Sequence, residues 1–262
     1  MIPAIILFLL YMLSAWAMLR SVKQPRLEPL AWILILIALI GHSDVIMHMM
    51  RVNARFSIGL LEAMSLLGWT LAVLACLVSI DKQNRVLGAI LMLSAAVGAA
   101  MSGAGPSYVE ATAGWELTAH ILLSMGAAAL LFAAAVTAIL LVILDRRLRM
   151  RRIADLSSAL PPLDALEKIM FRLVGAGFGL LTLALITGFV FVTNLFAQNL
   201  VQKTVLSLIA WLIFGVLLVG RLAVGWRGRS AVRWTLSGFG ILAVAYFGVK
   251  FVLEYLFGRH WG

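Results

Sequence analysis

WELTAHILLSMGAAALLFAAAVTAILLVIL, residues 115–144, holds two ionisable side chains, Glu116 and His120, both within its first six positions. The 24 residues that follow carry no charge. A bilayer core takes an apolar helix of about 20 residues. The run is continuous rather than alternating, so it reads as a membrane-spanning helix and not as a barrel strand. DRRLRMRR, residues 145–152, comes next, and the helix is expected to project beyond the bilayer toward Arg152 before Pro161-Pro162 breaks it.

The rest of the chain repeats this pattern. Of 262 residues, 63% are hydrophobic and 12% charged, about half the charged share of a soluble domain. Such a chain cannot cover its own surface with polar groups. We expect an all-α integral membrane protein, an eight-transmembrane-helix bundle forming one membrane domain over residues 1–262. The spans fall near 2–19, 29–50, 58–80, 86–102, 115–144, 168–193, 202–222 and 233–257. This leaves no room for a large soluble domain, whether catalytic or nucleic-acid-binding. The single cysteine, Cys76, excludes an internal disulfide and a cysteine-based metal site. The first run has no basic residue before it and reads as a permanent helix rather than a removable signal.

The net charge of +10 reads as topology rather than as a nucleic-acid footprint. Sixteen Lys and Arg residues flank the spans on one side, among them Arg20, Lys82, Arg85, Arg146, Arg147, Arg149, Arg221 and Arg227. The other side has four: Arg51, Arg55, Lys203 and Arg259. The positive-inside rule then places both termini outside, in the periplasm of a bacterial inner (cytoplasmic) membrane.

Ionisable groups inside spans are costly and mark function. Here they are His42, Asp44, His48, Glu62, Glu116, His120, Lys250 and Glu254, all toward the outer side. His42 and His120 lie on different helices at comparable depth, within reach of one outer chamber. Glu116 and His120 share a helix face at four-residue spacing, as do Asp44 and His48. Neutral imidazoles in lipid suit axial ligation of haem iron, whose propionates would take Lys250 or Arg51. They also suit a proton path, cation transport, or plain hydrogen bonding between helices. No nucleotide loop, zinc-protease, nucleophile-elbow or covalent-haem motif is present. Gly175, Gly177 and Gly179 read as a packing stripe, and Trp211, Trp226 and Trp234 as interfacial anchors.

Several stretches act together as a signature. They are Pro161-Pro162-Leu163 with Glu167-Lys168-Ile169-Met170-Phe171, then Thr187-Gly188 and Asn194-Leu195-Phe196. Lys203-Thr204-Val205-Leu206-Ser207 with Ala210-Trp211, Gly225-Trp226-Arg227-Gly228-Arg229 and Ala245-Tyr246-Phe247-Gly248 complete the set. With these the chain resembles the cytochrome c assembly family of membrane haem-handling proteins. The resemblance implies haem b as cofactor, His42 and His120 as iron ligands, and no turnover chemistry. It implies a role in cytochrome c assembly or in regulating a haem pathway, in the lipid bilayer and beside other membrane or cytochrome assembly proteins. Haem-delivering members carry a tryptophan-rich outer loop, and here Thr193–Gln202 has neither Trp nor Asp. A small-solute transporter and a non-catalytic accessory membrane subunit are the rival readings.

Overall fold

The computed structural model describes residues 2–52, 60–102, 115–150, 161–191 and 200–248. Among these, the chain is helical, with eight α-helices in two compact units. Seven helices are long and apolar enough to cross a membrane. The eighth expected span, 233–257, extends past the described residues.

The first unit holds α1 (Ile2–Ser21), α2 (Glu28–Val52), α3 (Leu60–Ser79) and α4 (Arg85–Ala100). Each helix packs against its sequence neighbour, and α1 also packs on α4, which closes a four-helix ring. α4 is mostly buried and built from small residues, including Ala89, Ala95, Ala96 and Ala99. Its closest approach is to α3. A Cβ added at Gly98 would stand 2.6 Å from the Gly68 Cα, and one at Gly68 2.8 Å from the Gly98 Cα. Backbone touches backbone here, as only glycine permits. One end of the unit is fastened by charge. Asp81 caps the short turn before α4 by accepting from the Gln83 N–H at 3.0 Å. Arg85, buried at 4% exposure, pairs with Glu28 of α2 and donates to Ser21 Oγ of α1 at 3.3 Å.

The second unit holds α5 (Trp115–Arg149), α6 (Leu163–Phe191), α7 (Leu200–Ala223) and α8 (Arg229–Ala243). α8 runs on into a π-helical turn, Val244–Gly248. These helices also close a ring, with α5 against α6 and α8. The expected overhang of α5 is present: 35 residues span about 50 Å, against about 30 Å of hydrocarbon. In both units, large apolar side chains such as Ile33, Ile40, Ile186, Leu212 and Val219 are exposed. Such surfaces suit lipid rather than water.

One expectation is corrected. Gly175 and Gly179 face open space, and only Gly177 meets a neighbour, the Leu131 side chain. Residues two apart on a helix point to different faces, so the three glycines make no stripe. Trp211 joins helices: its indole N–H donates to Thr182 Oγ1 at 2.8 Å and its ring stacks on Phe178. Trp226 and Trp234 stack on each other at 5.4 Å.

Candidate functional site

The two histidines sit in different settings, one in each unit. His42 is fully buried. Its Nε2 lies 3.0 Å from Ser65 Oγ of α3, and its Nδ1 3.3 Å from the Tyr11 hydroxyl of α1. A neutral imidazole has one N–H and one lone pair. Both are engaged, so His42 as it stands fastens α1, α2 and α3 together. The neighbouring Ser43 takes part too, accepting from the Trp69 indole at 2.8 Å. Asp44 and His48, by contrast, are exposed.

His120 is half-buried near the start of α5, and its Nδ1 lies 3.1 Å from Thr187 Oγ1 of α6. The Thr187 hydroxyl directs its single proton at the carbonyls of Leu183 and Ala184, at 2.9 and 3.0 Å. Its oxygen therefore accepts from His120, which assigns the proton to Nδ1 and the lone pair to Nε2. The ring rests on Gly188, where a Cβ would come 3.1 Å from the imidazole Cε1. Thr187-Gly188 thus supplies both an acceptor and a flat seat. Glu116 shares a helix face with His120, but the bond to Nδ1 comes from a different helix.

His120 lines a cleft of about 110 Å³ within the second unit. Leu181, Ala184 and Leu185 give it apolar walls, and Ser124, Ser207, Lys203 and Tyr246 add polar groups. The volume is below the roughly 300 Å³ of pockets that enclose a drug-sized ligand. It admits the edge or a side arm of a larger molecule. Among the described residues, no group of three or more His, Cys, Asp and Glu side chains could hold a bare metal ion. A single imidazole lone pair suits a metal that already carries most of its own ligands.

At the opposite end of α6 lies a cluster that sequence reasoning did not assemble. Glu167 is nearly buried, and its Oε1 accepts from Arg221 Nη1 at 2.9 Å and Arg227 Nε at 3.1 Å. Its Oε2 accepts from the Gly228 N–H at 3.1 Å. Arg221 also donates to the Trp226 carbonyl at 3.1 Å and lies over the Phe171 ring. Gly225 and Gly228 have φ of +70° and +58°, which lets the α7–α8 connection turn back onto Glu167. One carboxylate therefore holds three elements.

The structure brings His120, Lys203 and Tyr246 to one cleft and places His42 in a core network. Arg51 lies in the last turn of α2 with its side chain outside the described residues, and Lys250 lies outside them altogether. Lys203, Ser207 and Tyr246 were missed as site residues. All three lie in the stretches that carry the family resemblance, and Lys203 is also a cation on the sparsely charged side.

The family model for cytochrome C assembly protein matches residues 57–257. The inner membrane protein YpjD of Escherichia coli K12 is 34% identical over 202 residues, 76% of each chain. The cytochrome c biogenesis protein CcsA of Gloeothece citriformis is 34% identical over 100 residues, 37% of this chain and 30% of its own. That of Synechocystis is 33% identical over the same shares. No solved structure matches significantly. With a family match that covers three quarters of its length and seven membrane-length helices among the described residues, the chain belongs to the cytochrome c assembly protein family of membrane proteins.

Proposed function

We propose that this protein binds haem b at the outer face of a bacterial inner membrane, to assist cytochrome c assembly or to regulate a haem pathway. The observation that carries the reading is His120: seated on Gly188, Nδ1 against Thr187, and lining an apolar-walled cleft with a lysine. Haem iron takes such an imidazole as an axial ligand, and a hydrogen bond at the other nitrogen fixes ring and tautomer. Bound haem supplies a redox-active iron and an apolar macrocycle with two propionates. The protein's part is to orient the imidazole and to hold its Nδ1 proton. His42 becomes a ligand only where Tyr11 or Ser65 gives up its hydrogen bond. Arg51 and Lys250 remain the outer basic groups available to propionates. Binding without delivery fits Thr193–Gln202, which lacks Trp and Asp, so hand-over would rest with partner proteins.

The absorption spectrum of detergent-purified protein tests this. A Soret band that survives washing is expected, lost in His120→Ala and unchanged in His260→Ala. His42→Ala should cost about 1–3 kcal/mol of stability, because two buried hydroxyls lose their partner. A colourless wild-type protein, or a band indifferent to His120→Ala, would sink the assignment.

We further propose eight spans with both termini outside, on the sixteen-to-four asymmetry of flanking charge. A fluorescent reporter that matures only in the cytoplasm should stay dark when fused after Gly262. A bright fusion reverses the orientation and puts the His120 cleft on the inner side.

A further inference from the structure

We propose that Lys203, with Ser207, forms a carboxylate subsite of the His120 cleft, which selects an amphipathic ligand carrying free acids over its uncharged ester. The inference rests on the haem reading above and names the residues of that site that would recognise the ligand's anionic arm. Lys203 and Ser207 stand one turn apart on α7, so they share a face. Both line the cleft together with His120. Ser207 is buried at 8% exposure while Lys203 is exposed, so hydroxyl and ammonium sit at different depths along that face.

The ammonium is also placed. Its Nζ lies 4.9 Å from the centre of the Tyr246 ring, a cation–π distance. Tyr246 belongs to the π-helical turn after α8, and its hydroxyl donates to the Ser124 carbonyl of α5 at 3.5 Å. π-Helical turns gather at functional sites. Here the turn carries the ring that positions the cleft's cation. The arrangement is polar on one side and apolar on the other, with Leu181, Ala184 and Leu185 on the apolar side. A planar apolar body bearing carboxylates matches both, with the acid in a charge-assisted contact to Lys203.

The test is a titration of the full-length, detergent-purified chain with haem and with haem dimethyl ester, which has the same iron and ring but no free acid. The wild type is expected to bind the acid about tenfold more tightly, the size of a hydrogen bond to a charged group at a partly exposed site. Lys203→Gln should bind both porphyrins equally, at the wild-type affinity for the ester and with an unchanged absorption spectrum. That retained ester affinity shows the variant to be folded. Lys203→Arg should keep the preference. Equal affinities in the wild type, or a preference that persists in Lys203→Gln, overturns the subsite and leaves the haem reading standing. His120→Ala separates the two: if it binds both porphyrins like the wild type, or if no form binds either, the haem reading fails and the subsite falls with it.

Discussion

Glu167→Ala is expected to destabilise the protein by about 3 kcal/mol, the low end of the cost of breaking a buried ion pair by removing one partner. The low end applies because Arg227 is 57% exposed and keeps its water. Arg221 is only 26% exposed and would be left with the Trp226 carbonyl and the Phe171 ring. The Gly228 N–H would lose its acceptor. Arg227→Ala removes an exposed partner and should cost less than about 1 kcal/mol. Glu167→Gln should fall between the two, since the amide oxygen can still accept from an arginine while its NH2 group faces the Gly228 N–H. Thermal unfolding in detergent measures all three. Equal losses for Glu167→Ala and Arg227→Ala would mean that Glu167 is an ordinary surface anion.

Gly98→Leu is expected to give no folded protein, and Gly98→Ala to lose about 1–3 kcal/mol, the usual cost of overpacking. The reason is the identity of the neighbours. The added Cβ would meet the Gly68 Cα and the Met64 carbonyl oxygen, each at 2.6 Å, and a backbone cannot change rotamer to make room. Gly175→Ala and Gly179→Ala are the controls. Nothing stands within 4 Å of either added Cβ, so each should be neutral or stabilising by about 0.5–1 kcal/mol through helix propensity. A Gly98→Ala variant that melts with the wild type would show that α3 and α4 do not pack this closely.

The helices were legible in the sequence because lipid imposes one rule on every spanning segment: the backbone must satisfy itself and the surface must be apolar. That rule placed α1 to α7 within a few residues of their observed bounds, apart from the start of α6. α6 begins at Leu163 rather than 168 because its first residues include the carboxylates Asp164 and Glu167, which hide them from a search for apolar runs. α5 runs on through charged residues to Arg149, the overhang expected from its sequence. The site was legible only in part. Rarity of charge singled out His120, but spacing within one helix suggested Glu116 as its partner, and Thr187 lies 67 residues away. His42 was singled out by the same rarity, yet Tyr11 and Ser65 belong to other helices and carry no charge to betray them. The Gly68–Gly98 contact escaped for a similar reason. It joins two isolated glycines on different helices, whereas the conspicuous trio in α6 is local and mostly idle.

The Glu167 cluster and the His120 cleft lie at opposite ends of α6 and α7, which gives these helices the mechanics of a clothes-peg. From Glu167 to Gly188 is about 30 Å at helical rise. With one end gripped by a carboxylate, two arginines and a loop, a tilt of about 5° about that grip carries the far tips apart by about 3 Å. Small angular play at the sprung end thus becomes a gap as wide as an atom at the jaws.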